Sequence, residues 1–162
     1  MLDIQVRIEG DKVILEGLNR LAASMPRAID RGLQRIGKGI HREAYAFLSG
    51  AGSKAATRKG AYAGGYPVPV RMGHLRRSLA WLKPGETKTG DVGAFTAGEN
   101  EVVIYDSARY ADAIHEGKGS SAKFGRRPYL TAALDFFNQG SRIKAPLEEE
   151  LKKEIDGNSG VR

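Results

Sequence analysis

Residues 16–48 read EGLNRLAASMPRAIDRGLQRIGKGIHREAYAFL. Within this stretch Leu18, Leu21, Ala22, Met25, Ile29, Leu33, Ile36, Ile40, Ala44 and Phe47 recur three or four positions apart. On a helix of 3.6 residues per turn they form one apolar stripe, so the spacing predicts a long amphipathic helix laid over a core. Pro26 is expected to kink it, because an interior proline removes a hydrogen bond and its ring crowds the preceding turn. Gly32, Gly37 and Gly39 each cost a helix about 1 kcal/mol relative to alanine. A helix that keeps all three is held by packing, and residues this small admit a close neighbour.

Upstream, Asp3-Ile4-Gln5-Val6-Arg7-Ile8 alternates polar and apolar side chains with period two, the pattern of a strand with one buried face. Glu9 to Lys12 reads as a turn, and Val13-Ile14-Leu15 extends the strand or leads into the helix. Downstream, residues 49–69 are rich in Gly, Ala, Ser and Tyr and have little apolar periodicity, which suggests a flexible, arm-like loop. Leu75, Leu79 and Leu82 fit a short helix stopped by Lys83-Pro84-Gly85. Residues 87–97 and 101–106 read as two strands joined by a turn at Glu99-Asn100, the second carrying the β-favouring run Val102-Val103-Ile104-Tyr105.

A short helix from Tyr110 to Glu116 ends at Gly117, and a glycine- and serine-containing loop covers 118–126. Pro128 suits the first turn of a further helix, with Leu130, Ala133, Leu134 and Phe137 as its apolar face. Gly140-Ser141 interrupts it, Leu147, Leu151 and Ile155 continue an amphipathic pattern, and 157–162 reads as a disordered tail. The expected architecture is α+β. A small antiparallel sheet packs with a long N-terminal helix and a C-terminal helix in a single domain over residues 1–156, with the arm inside it.

The 162 residues suffice to bury a core. No run approaches the ~18 apolar residues of a membrane span, and the N-terminus lacks the pattern of a secretory signal. Cysteine is absent, which excludes disulfides, cysteine nucleophiles and thiolate metal sites, and fits folding in a reducing cytosol. The net charge is +7 and the pI about 9.7, compatible with nucleic acid or an acidic protein surface. One basic region holds Arg58, Lys59, Arg71, Arg76 and Arg77, a second holds Lys118, Lys123, Arg126 and Arg127, and the acids Glu148, Glu149, Glu150 and Glu154 lie near the C-terminus. Opposite charges at different places suit subunit-to-subunit docking.

Catalytic chemistry finds little support. The histidines are at 41, 74 and 115. Asp112, His115 and Glu116 cluster at helical spacing, but a lone histidine with two acids on one helix lacks the further firm ligand a metal site needs. Ser78 has no Gly-x-Ser-x-Gly elbow around it. Gly60, Gly64 and Gly65 are not followed by Gly-Lys-Ser/Thr, so they form no phosphate loop. Gly117-Lys118-Gly119 follows a helix instead of opening one, so the helix dipole does not favour an anion there. No catalytic residue, metal or cofactor is expected. Tyr62 and Tyr66, beside Arg58 and Lys59, have the composition of a loop facing a partner or DNA.

Three stretches occur in order: Pro69-Val70-Arg71-Met72-Gly73-His74-Leu75-Arg76-Arg77-Ser78-Leu79, then Tyr110-Ala111-Asp112-Ala113-Ile114-His115-Glu116-Gly117, then Arg127-Pro128-Tyr129-Leu130-Thr131-Ala132-Ala133-Leu134. Together they resemble the neck, or tail-completion, proteins of long-tailed bacteriophages and prophages, which join head to tail. That family shows Gly-x-Leu-Arg-x-Ser, then Tyr-Ala-x-x-x-Glu-x-Gly, then Pro-Phe-Leu before a helix. The resemblance runs from about Ile4 to about Phe137. Tyr129 stands where Phe is commoner and brings a hydroxyl that needs a partner. Lys118 stands where a small hydroxyl residue is common, and the arm is longer than the family minimum.

The resemblance implies a structural, non-enzymatic subunit of a homo-oligomeric ring, expected to be a hexamer, in the neck or upper tail of the virion and in the host cytoplasm during assembly. Its implied neighbours are the tail-tube or tail-terminator protein and the head-connector proteins, with a channel for DNA and no membrane. On this reading Glu116 is available to an arginine. At least one of Arg76 and Arg77, which point in different directions from a short helix, is expected to reach a carboxylate of another copy, with Glu148-Glu149-Glu150 as a candidate. The rival reading is a basic DNA-binding protein that acts through its Arg/Lys-rich loops.

Overall fold

Helix α1 runs unbroken from Asp11 to Phe47 with Pro26 inside it. The computed structural model describes residues 11–49, 73–119, 126–139 and 142–158. The expected strand at 3–8, the arm from 50 onward with Arg58, Lys59, Tyr62 and Tyr66, and Arg71 lie outside the described residues. Val13-Ile14-Leu15 belongs to the helix.

The predicted stripe is the buried face only over its second half. Ile36, Ile40, Ala44 and Phe47 are in the core, joined there by Leu48 just past the helix end. Leu21, Met25, Ile29 and Leu33 are half-buried, and Leu18 is 57% exposed. The elements that carry Trp81 and Phe137 pack on the C-terminal half of α1, the last helix runs along its middle from Arg35 back to Ser24, and all three meet it at its glycines. A Cβ on Gly32 would come within 2.6 Å of Leu147 Cδ2, one on Gly37 within 2.9 Å of Trp81 Cε3, and one on Gly39 would overlap the Phe137 ring. Each glycine thus admits one side chain from a different element to the helix surface.

Those elements follow in chain order. Helix α2, His74–Ser78, leads directly into strand β1, Leu79–Leu82. Strand β2, Thr87–Gly90, and strand β3, Gly93–Thr96, form a hairpin. Strand β4, Val103–Asp106, is followed by α3, Ala111–Glu116, α4, Tyr129–Asn138, and α5, Lys144–Asn158. The sheet is two antiparallel pairs, β1 with β4 and β2 with β3. In the first pair Leu79 faces Asp106, Ala80 faces Tyr105, Trp81 faces Ile104 and Leu82 faces Val103.

The α+β architecture stands, with local corrections. Leu79 to Leu82 is a strand, not the last turn of a helix. Leucines at 75, 79 and 82 satisfy a helical period, but pairing with β4 gives the backbone of 79–82 a ladder while still burying Leu79 and Leu82. Residues 87–97 make a hairpin that reverses at Asp91-Val92, so 101–106 takes β1 as its partner instead. The buried face of α4 carries Tyr129, Ala132, Ala133 and Phe137, while Leu134 is exposed. Helix α5 extends through Gly157 to Asn158, where a disordered tail was expected.

Helix α5 is held to α1 by charge as well as by Leu147. Arg31 Nε lies 2.9 Å from Glu150 and the same guanidinium pairs with Glu154. Arg35 reaches Glu149 at 2.7 Å and Glu150 at 3.1 Å, and Lys153 reaches Glu150 at 2.7 Å. Three cations on one carboxylate hold Glu150 well below its usual range, at about 2, with the Lys153 and Arg31 hydrogen bonds as the main causes. The candidate intersubunit acids Glu149 and Glu150 are therefore engaged within their own chain.

Candidate functional site: a node around Asp106

The β1–β4 register places Asp106 opposite Leu79, next to the end of α2. Ser78 Oγ lies 2.6 Å from Asp106 Oδ1, and the Ala108 backbone N–H donates to the same oxygen at 3.1 Å. The Tyr129 hydroxyl donates to Oδ2 at 2.8 Å. Tyr129 is 0% exposed. Burial raises the Asp106 carboxyl above its ordinary range, and it outweighs the hydrogen bonds from Ser78, Ala108 and Tyr129 that favour the charged form.

Backbone geometry supports this arrangement. Gly73, at φ 68°, is the N-cap of α2, and its carbonyl accepts from Arg77 N–H at 3.1 Å. Gly117, at φ 66°, caps α3, and the N–H of the following Lys118 returns to the Ala113 carbonyl at 2.8 Å. Both glycines sit in the left-handed region that side chains disfavour. The Arg127 N–H donates to the Ile114 carbonyl at 3.3 Å, tying the start of the third stretch to α3. The His115 ring meets the Tyr129 ring edge-on, with centroids 5.6 Å apart.

The three stretches singled out in the sequence therefore converge. Leu75, Ala111, Pro128 and Tyr129 are buried, and Arg127 and Leu130 are half-buried. Arg76 places its guanidinium over the Tyr45 ring of α1, 5.2 Å from the centroid. Arg77 is exposed and has no ion-pair partner among the described residues. Tyr110 is 42% exposed, with the His74 ring 5.9 Å away. Sequence reasoning missed Asp106, the residue at the centre. The signal available was the hydroxyl of Tyr129, which demanded an acceptor, and an acid closing a β-favouring run.

No family model, characterised protein or solved structure matches the chain.

Asp112, His115 and Glu116 do not converge on a point. Asp112 pairs with Lys118 at 3.5 Å, His115 Nδ1 lies 2.8 Å from Glu116, and His115 Nε2 lies 3.4 Å from Thr131 Oγ1. Glu116 also takes Arg126 at 3.3 Å. The His115 hydrogen bond chiefly, and Arg126 after it, lower the Glu116 carboxyl. The arginine that Glu116 was expected to meet thus comes from its own chain. Among the described residues no group of three His, Asp or Glu side chains is placed to hold a metal ion. None of their helices is long and apolar enough to cross a membrane. Of the second basic region, Lys118 and Arg126 are partly neutralised by Asp112 and Glu116.

Proposed function

We propose that this chain is a structural subunit of a ring at the head–tail junction of a tailed bacteriophage. In this role it joins the tail tube to the head connector and leaves a channel for DNA. The observation that carries the reading is the meeting of all three family-like stretches around Asp106. Ser78 comes from the first, Tyr129 from the third, and the second shares their core through Ala111 and accepts the Arg127 N–H at its Ile114 carbonyl.

A node of this kind suits a scaffold. Asp106, Ser78 and Tyr129 satisfy one another, and the Tyr129 hydroxyl is spent on a carboxylate inside the fold. Beside the node the surface offers Arg77, Arg109 and Tyr110, all exposed. Arginine and tyrosine are enriched where protein surfaces meet. The subunit acts by binding and assembly, with copies of itself in a sixfold ring and with tail-tube or tail-terminator and connector proteins on its two faces.

The test is the native mass of the purified chain, alone and after addition of a phage tail-tube protein. A closed ring, formed alone or on that addition, is the expected result. A chain that stays monomeric under both conditions would remove the reading.

A further inference from the structure

Between Gly17 and Phe47, α1 carries six cations, Arg20, Arg27, Arg31, Arg35, Lys38 and Arg42, against two acids, Asp30 and Glu43. Glu43 is buried and Asp30 accepts a hydrogen bond from Gln34 at 2.8 Å. Acids of α5 take up Arg31 and Arg35, and Glu16, one turn upstream, pairs with Arg20 at 3.5 Å. That leaves Arg27, Lys38 and Arg42, all exposed and without an ion-pair partner among the described residues. Eleven residues make three helical turns, so positions 27 and 38 share a face, and 42 and 45 follow one and two turns later. The row from Arg27 to Arg42 is about 22 Å long at 1.5 Å per residue.

Aromatic rings accompany the row. Lys38 Nζ lies 6.0 Å from the Trp81 ring centroid. Tyr45 ends the row with an exposed ring that carries the Arg76 guanidinium at 5.2 Å. We propose that this outward ridge of α1, Arg27, Lys38, Arg42 and Tyr45 with Arg76, is a binding surface for the sugar-phosphate backbone of a nucleic acid, read without regard to sequence. Between Arg27 and Lys38 the charges of Arg31 and Arg35 are taken up by Glu149, Glu150 and Glu154, so the free cations gather at Lys38, Arg42 and Arg76, with Arg27 three turns away; cations spaced along one helix face match a linear polyanion, whose phosphates repeat along its length. Cations beside the exposed Tyr45 ring and the half-buried Trp81 ring are the pattern that tracks a backbone and stacks bases. The surface lies on a helix and not on the loops to which composition pointed, and the inference does not depend on the chain forming a ring.

The experiment is fluorescence anisotropy of labelled duplex and single-stranded oligonucleotides, titrated with the full chain between about 50 and 200 mM salt. Four contacts predict a slope of log affinity on log salt of about −3 to −4, or roughly a hundredfold loss over that range. Arg27→Gln/Arg42→Gln is expected to weaken binding about tenfold or more at low salt and to flatten the slope by about 2. Lys118→Gln/Lys144→Gln, the same change of charge off α1, is expected to leave both unchanged, and thermal melts check that each variant folds. A larger loss of single-strand than of duplex binding in Tyr45→Leu would mark stacking, and equal losses would assign the ridge to phosphates alone. The proposal is overturned if the parent chain binds neither oligonucleotide, if both double variants lose affinity equally, or if polyglutamate binds as tightly as DNA at equal charge. Native mass, measured on the same samples, tests the ring separately.

Discussion

Tyr129 and Asp106 are 23 positions apart in sequence and joined by a 2.8 Å hydrogen bond, with the tyrosine wholly buried. The phenol fills apolar space in the core while its hydroxyl serves a carboxylate that burial disfavours. Tyr129→Phe keeps the ring and removes the donor, so it is expected to destabilise the fold by about 1–3 kcal/mol, the cost of an under-satisfied buried group. It should also raise the Asp106 carboxyl further. In a double-mutant cycle with Asp106→Ala, urea unfolding should show the two losses to be less than additive. Additive losses would mean that the hydrogen bond contributes nothing.

Two glycines of α1 are expected to respond in opposite senses to the same substitution. Gly17 has nothing within 4 Å of an added Cβ, whereas one on Gly39 would strike the Phe137 ring. Gly17→Ala should stabilise by about 0.5–1 kcal/mol through helix propensity and unfolded-chain entropy. Gly39→Ala should lose that gain to overpacking, which costs about 1–3 kcal/mol, and Phe137→Leu should partly restore it. Midpoints of thermal unfolding for the three variants decide the matter.

These same residues show how far the sequence could be read. The long helix was legible because its period persists for thirty residues, and its glycines announced close neighbours. Which neighbours was not legible, since Leu147, Trp81 and Phe137 come from three separate elements. Leu75, Leu79 and Leu82 suggested a helix because they fall four and three positions apart; in the strand Leu79 and Leu82 point to opposite faces and enter separate clusters, which only the pairing with β4 reveals. The three family-like stretches were visible, yet Asp106, which joins two of them, lies outside all three. The ion pairs of Arg31 and Arg35 were hidden because they require the α1–α5 packing that brings residues more than a hundred positions apart into contact.

Glu150 and Asp106 should drive acid stability in opposite directions. The Glu150 carboxyl falls from 4.5 to about 2 on folding, so the unfolded chain binds more protons between those values. Its stabilising contribution is complete above about 4.5 and is lost as pH falls toward 2. Asp106 is raised on folding, so its ionised form costs stability at neutral pH and that cost is relieved as pH falls through its folded value. Glu150→Gln should therefore lower the melting temperature at pH 7, and the curves of parent and variant should converge between about pH 4.5 and 2. A constant gap across that range would show that the Arg31–Glu150–Arg35 cluster does not stabilise through charge.

Arg76 and Arg77 are adjacent in sequence and differently occupied, and on the ring reading they should fail differently. Arg76 lies over Tyr45, a contact whose loss costs the fold about 0.5–1 kcal/mol. Arg77 is exposed beside Gly73 with no ion-pair partner among the described residues, so Arg77→Ala should leave the melting temperature within about 2 °C, as surface changes shift stability by less than about 0.5 kcal/mol. A planar guanidinium at a subunit boundary would instead pair with a carboxylate of the neighbour. Removing one member of a desolvated interfacial pair costs about 2–5 kcal/mol, a loss repeated at each contact around a closed ring. Arg77→Ala is thus expected to remain folded by circular dichroism and to drop out of the assembly with tail-tube protein seen by electron microscopy. Arg76→Ala should melt earlier and still assemble. Normal assembly by Arg77→Ala would place the subunit boundary away from α2.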